Sequence, residues 1–302
     1  MTWRIAVLGL LVACGGNAID VVDTSDTEQG LELSAQSLHR SPLRHVQLET
    51  GIRMAYLEQG RRDGIPVILL HGYTDSHHSF DRNLPLLPER FHVFAIDQRG
   101  HGDSSKPDCC YTQADFAADV PAFMDAVGLD RASIVGHSMG SFIAQSVALE
   151  FPERLARLVL MGTAPTIAGN PVALDLKAAV DTLTDPVDAE FARAFQASTF
   201  FRPIPESFLD QAVEDSLQVP ASIWQQALDG LIAEDHSDQL GEIRARTLIL
   251  FGDQDVFVSA AEQAVLDAQI PRSRVITYEQ TGHGLHVELP RRVSADIVDF
   301  LR

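Results

Sequence analysis

A serine hydroxyl becomes a useful nucleophile only when a base takes its proton and a carboxylate orients that base. Ser138 lies in Gly136-His137-Ser138-Met139-Gly140, directly after the apolar run 132–135 and ahead of a stretch with helical spacing. This is G-x-S-x-G between a strand and a helix, where the serine must take up a strained turn and small neighbours on both sides prevent a clash. The helix that follows aims its N-terminal N–H groups at charge developing near Ser138. Downstream, the run 247–251 leads into Gly252-Asp253-Gln254-Asp255, and the run 274–278 leads into Thr281-Gly282-His283-Gly284. An acid and an imidazole thus follow the serine in the order Ser, Asp, His, each at the carboxyl end of a strand, where open α/β sheets collect their reactive groups. Singly, such an Asp is usually a cap and such a His usually structural; together they read as nucleophile, orienting acid and base. Spacing leaves two choices open, Asp253 against Asp255 and His283 against His286. An oxyanion hole needs two backbone donors. One is the N–H of Met139, next to the nucleophile; the other is the N–H of Tyr73 in His71-Gly72-Tyr73-Thr74, where Gly72 lets the backbone come close.

Bringing these groups to one edge requires a sheet. The short apolar runs 66–70, 92–96, 132–135, 158–161, 247–251 and 274–278 fit parallel strands buried on both faces. Residues 46–49 and 53–58 alternate weakly around Gly51 and predict an antiparallel hairpin at the sheet edge. Within 112–127, Phe116, Val120, Phe123, Met124 and Val127 recur at spacings of three and four before Gly128, and a second helix runs from near Ser138 to Phe151-Pro152. Repeated βα units imply right-handed crossovers, so the fold class is α/β with a mostly parallel sheet.

That rhythm breaks at residues 163–240, where no strand-like run occurs. Phe191/Phe195, Phe208/Ala212/Val213 and Ile223/Trp224/Ala227/Leu228/Leu231/Ile232 have helical spacing, and 13 acids stand against 3 bases. The reading is an all-helical cap inserted into a core formed by 41–162 and 241–302. Most of its aromatics are expected to pack helix on helix. Phe195, Phe200, Phe201 and Trp224, with His137, are candidates to line a pocket.

The whole chain has 302 residues, 45% hydrophobic and 22% charged, which is ordinary globular usage. At that length it buries roughly three quarters of its unfolded surface and needs no disulfide or metal staple. Its net charge of −19 repels phosphate backbones and anionic lipid, which argues against nucleic-acid binding. Residues 1–13 place Arg4 before an apolar run too short to span a bilayer, the layout of a secretory signal. Leu11-Val12-Ala13-Cys14 is similar to a lipobox, with Cys14 as lipid acceptor, and residues 14–40 read as an acidic tether. The expectation is an exported, lipid-anchored protein that meets membrane only through Cys14; an ordinary signal peptide, or a cytoplasmic enzyme with a mis-assigned start, is the alternative. Cys109-Cys110 are either a vicinal disulfide or two free thiols, with no His beside them to make a nucleophile.

Taken together, His71-Gly72, Asp97-Gln-Arg-Gly-His-Gly-Asp-Ser104, Gly136-His-Ser-Met-Gly140, Gly252-Asp-Gln-Asp255 and Gly282-His283 resemble the α/β-hydrolase superfamily over residues 41–302, and the insertion resembles the helical cap of its lidded members. The resemblance implies Asp255 as the acid and His283 as the base, and a structural role for Arg99 and His101. It implies no cofactor and no metal. Family members that are dehalogenases or epoxide hydrolases carry Asp at the nucleophile position, which Ser138 excludes. Carbon–carbon bond hydrolases and haloperoxidases usually have Gly where Ser141 stands. Proline iminopeptidases typically show Gly-Gly-Ser-Trp-Gly, and hormone-sensitive-lipase-like enzymes need His-Gly-Gly; neither occurs. The resemblance therefore implies a capped hydrolase of small-molecule carboxylic esters, lactones or thioesters, with an acyltransferase, perhydrolase or carbon–carbon bond hydrolase as the alternative.

Overall fold

A computed structural model describes residues 42–302. The signal, the lipobox with Cys14 and the acidic tether lie outside the described residues. Eight strands form one sheet: β1 (Arg44–Gln47), β2 (Arg53–Gly60), β3 (Ile65–Leu70), β4 (Phe91–Ile96), β5 (Ala132–His137), β6 (Leu155–Met161), β7 (Arg246–Gly252) and β8 (Ser273–Tyr278). Their order is β1-β2-β4-β3-β5-β6-β7-β8. β2 pairs antiparallel with β1 and β4, and every other neighbouring pair is parallel. β6 starts earlier than its apolar run because Ala156 is exposed and Arg157 part-exposed, which interrupts the hydrophobic pattern without interrupting the strand.

The central parallel strands are largely apolar because both faces are covered, whereas the edge strands β1 and β8 stay part-exposed. Successive side chains alternate, so Ile68 and Leu70 enter one apolar cluster while Val67 and Leu69 enter the other. The first cluster takes Phe116 and Phe123 from α1 (Gln113–Val127) and Phe142, Ile143 and Val147 from α2 (Met139–Glu150). Thr112 and Asp115 close a capping box at the start of α1.

Between β6 and β7 the chain builds four helices: α3 (Pro171–Val180), α4 (Ala189–Ser198), α5 (Glu206–Leu217) and α6 (Ala221–Ala233). After β7 come α7 (Ala260–Gln269), then β8, α8 (Leu285–Glu288) and α9 (Pro290–Leu301). The second cluster takes Val293, Ile297, Val298 and Leu301 from α9. No helix among the described residues is long and apolar enough to cross a membrane.

Candidate active site

β5 runs straight into α2 with Ser138 at the junction. Its backbone sits at φ 52°, ψ −124°, a conformation that costs a non-glycine residue of order 1–3 kcal/mol and persists only where the surroundings enforce it. The enforcement is visible: the Ser138 N–H donates to Met161 O at 2.9 Å, and its carbonyl accepts from the Ser141 N–H at 2.7 Å and hydroxyl at 2.6 Å. A Cβ on Gly136 would run into the Gly140 backbone, and one on Gly140 into the carbonyls of Leu70 and His71. Only glycines allow a turn this tight against β3.

The ends of β7 and β8 bring Asp255 to His283. Asp255 Oδ2 lies 2.7 Å from His283 Nδ1, and its side chain is wholly buried. Asp255 Oδ1 accepts the N–H groups of Phe257 at 2.8 Å and Val258 at 3.1 Å. With Nδ1–H given to Asp255, the His283 lone pair is on Nε2. The other two candidates go elsewhere. Asp253 is exposed and accepts the Thr281 N–H at 3.3 Å. His286, on α8, is buried 3.1 Å from the Ser79 hydroxyl, and burial pushes it down to about 3. Glu288, which the motifs did not flag, holds the His283 loop by accepting the N–H groups of Gly282 and Phe201.

His137 packs against both His283 and His286, with ring centroids 5.0 and 4.3 Å away. Its Nε2 lies 3.1 Å from His283 O, so Nε2–H donates and Nδ1 keeps a lone pair. Burial, then the neighbouring imidazoles, holds His137 well below the usual histidine range, and it is neutral. Tyr73 and Met139 flank this point. Met139 opens α2, so its N–H has no acceptor within the helix. His71 orders the loop before Tyr73: Nε2 accepts the Gln98 N–H at 3.0 Å, leaving Nδ1–H for Gly72 O at 2.8 Å. In the neighbouring loop Arg99 grips both oxygens of Asp119 at 2.7 Å and His101 bonds Arg99 O at 2.8 Å, all of it buried scaffolding.

Ser138, His283, His137 and Tyr73 line one cavity of about 930 Å³, counting the part open to solvent, beneath the inserted helices. Its far wall is apolar, with Phe195, Phe200, Phe208, Leu228 and Leu231. Two sequence expectations are corrected here. Phe201 is 54% exposed and points away from the cavity, whose wall takes its neighbour Phe200 instead. Trp224 is fully buried behind the wall, edge-on to Tyr73 and Phe195, with its Nε1–H donating to Ser216 O at 3.2 Å. Helix packing consumed its indole. Conversely, Asp75, His78, Gln196, Gln211 and Asp215 form a polar wall that no local motif announces. Cys109 and Cys110 are joined in a disulfide in an exposed loop away from this cavity. Among the described residues no group of three or more His, Cys, Asp and Glu is placed to hold a metal ion.

Comparison with known proteins agrees with this architecture. A non-heme chloroperoxidase of Streptomyces lividans is 27% identical over 277 residues, covering 85% of this chain and 99% of the relative. The structure of a hydrolase from Pseudomonas aeruginosa PA01 superposes with a TM-score of 0.79 at 27% identity, over 87% of this chain and 99% of that one. That of a membrane phospholipase A, described as a bacterial virulence factor, does so with a TM-score of 0.74 at 28% identity, over 92% and 91%. Residues 65–290 match the family described as alpha/beta hydrolase fold, and the chain belongs to that family.

Proposed function

We propose that the protein is a serine hydrolase that cleaves carboxylic esters through an acyl-enzyme on Ser138. The observation that carries this reading is the 2.7 Å contact of His283 with the buried Asp255, in the cavity that Ser138 lines. Ser138 attacks the acyl carbonyl while His283 Nε2 takes its proton, and Asp255 steadies the imidazolium so formed. The N–H groups of Tyr73 and Met139 receive the negative charge on oxygen. His283 then passes the proton to the departing alcohol, draws one from a water whose oxygen attacks the acyl carbon, and returns it to Ser138 Oγ as the acyl–Oγ bond breaks and the acid leaves. In this reading 41–162 and 241–302 are the catalytic core and 163–240 the cap. The apolar wall favours an ester with a hydrocarbon portion, and the likeness to a protein named as a phospholipase A supports acyl-ester chemistry. The N-terminal pattern supports export and a lipid anchor at Cys14, which mass spectrometry of the protein from a bacterial host would test.

The test is hydrolysis of p-nitrophenyl esters from acetate to laurate by the wild type and Ser138→Ala. Ser138-dependent release of nitrophenol is expected, and the best chain length measures the cavity. Turnover retained in Ser138→Ala would sink the assignment. Product analysis with added alcohol or peroxide separates hydrolysis from acyl transfer.

A further inference from the structure

The polar wall of the cavity holds a carboxylate without a charged partner, beside the nucleophile. Asp75 Oδ1 accepts the Gln196 Nε2–H at 2.9 Å, Oδ2 has a long 3.4 Å contact with the Ser79 hydroxyl, itself 3.1 Å from His286 Nε2, and the Gly72 backbone N–H also faces the carboxylate. The second acid of this wall is differently placed: Asp215 takes the Ser76 hydroxyl at 2.6 Å and feels the charge of His78, which its hydrogen bond to Asp81 helps raise to about 9. Asp75 has only neutral hydrogen-bond partners. No Lys or Arg lines the cavity.

A second, independent feature points at the same spot. His137 is 4% exposed, and its Nδ1 lone pair has no hydrogen-bond partner although it is buried. Gly72, lacking a side chain, is what brings the two groups together. The position a Gly72 Cβ would occupy lies 2.8 Å from Asp75 Oδ2, 3.1 Å from His137 Nδ1 and 3.3 Å from Ser138 Cβ. The two acceptors are therefore less than about 6 Å apart, so a donor group with two hydrogens can bond to both, and one with a single hydrogen to either. Both are acceptors, because His137 is neutral with its proton on Nε2.

Resting on the reading of Ser138 as the nucleophile of an ester hydrolase, we infer that Asp75 and His137 Nδ1 form an acceptor pair that selects esters carrying a hydrogen-bond donor, a hydroxyl or a protonated amine, close to the scissile bond. An ester with hydrocarbon at that place leaves His137 Nδ1 buried and unpaired and covers the Asp75 carboxylate without supplying a donor, which is how polar sites reject apolar analogues. Burial, with a further push from the Asp215 charge, raises Asp75 to about 6, and a cationic ligand relieves that cost.

Two isosteric pairs test this in the full chain. On the alcohol side, 2-(dimethylamino)ethyl acetate is set against 3-methylbutyl acetate. On the acyl side, p-nitrophenyl 3-hydroxybutyrate is set against p-nitrophenyl 3-methylbutyrate. Binding to Ser138→Ala is measured by calorimetry, so that turnover plays no part. In at least one pair the donor-bearing ester is expected to bind about tenfold tighter, and the pair concerned tells whether the donor sits on the alcohol or the acyl portion. Adding Asp75→Ala should equalise the pair; a loss of fold would instead weaken all four esters together. Asp75→Asn, which keeps an acceptor for Gln196, should lower the preference at least threefold. Equal binding within both pairs, or a preference that survives these substitutions, overturns the inference. Turnover by the wild type reports separately on the parent reading: Ser138-dependent hydrolysis without donor preference retains the hydrolase and discards the acceptor pair, and donor preference without hydrolysis does the reverse.

Discussion

Asp255 and His283 come from different strand ends, yet one carboxylate oxygen meets the imidazole at 2.7 Å while the other is fixed by two backbone N–H groups. The acid is thus held in place by contacts independent of the histidine. Asp255→Asn keeps the volume but loses the charge and the preference for the Nδ1–H tautomer. Turnover of a p-nitrophenyl ester should fall by about 10³-fold or more, with the far-UV circular dichroism of the fold retained. A loss of less than tenfold would mean that His283 is oriented by something else.

The His283 ring is also bounded by Gly162. With φ +58° it tolerates a side chain poorly, and a Cβ there would stand 2.9 Å from His283 Cε1 and Nδ1. Gly162→Ala should therefore shift the imidazole by a fraction of an ångström and lower kcat by about 10²-fold, at a stability cost of about 1 kcal/mol. Comparing kcat with the melting temperature checks this. An unchanged kcat would show that His283 has room to retreat.

Buried neutral histidines make the fold acid-sensitive. Burial pushes His71 down to about 4, His101 and His286 to about 3, and His137 well below the usual histidine range. The unfolded chain binds these protons near pH 6.5 and the folded chain does not, so stability is full above 6.5 and falls as pH drops below it. At pH 5 His71, His101 and His286 each contribute about 2 kcal/mol to the loss, and His137 acts in the same direction. Urea midpoints at pH 7, 6 and 5 should fall in that order; a flat profile would contradict four neutral imidazoles.

Asp75 works in the other direction. Its folded value of about 6 lies above that of the unfolded chain, so it costs stability progressively as pH rises from about 4 to about 6, and the cost stays constant above that. Asp75→Asn should stabilise the protein by up to about 3 kcal/mol at pH 7.5 and leave it little changed at pH 4. Equal effects at the two pH values would mean that Asp75 is not burdened by its charge.

Much of this architecture is legible in the chain itself. Strands buried on both faces leave unbroken apolar runs, and a strand-to-helix elbow needs small residues at Gly136 and Gly140, so both write themselves into local sequence. Pairing between remote loops does not. Nothing near Asp75 foretells Gln196, and nothing near Phe201 foretells Glu288, because those contacts exist only once the insertion and α8 are folded over the sheet. The aromatics of the insertion show the same limit. Phe200 and Phe201 are adjacent and chemically identical, and only the end of α4 decides which one faces inward.

The inserted helices also grip the loop that follows β3. The Tyr73 hydroxyl donates to Trp224 O on α6, Thr74 meets Ser216 and Ser76 meets Asp215 on α5, and Asp75 meets Gln196 on α4. Four consecutive loop residues, Tyr73 to Ser76, are thus stitched to three helices of the cover. Lifting the cover pulls on the very segment that carries the Tyr73 N–H. Under the proposed mechanism the placement of the Tyr73 N–H therefore depends on how the inserted helices are seated, so a change in their footing reaches the proposed oxyanion donor from a distance.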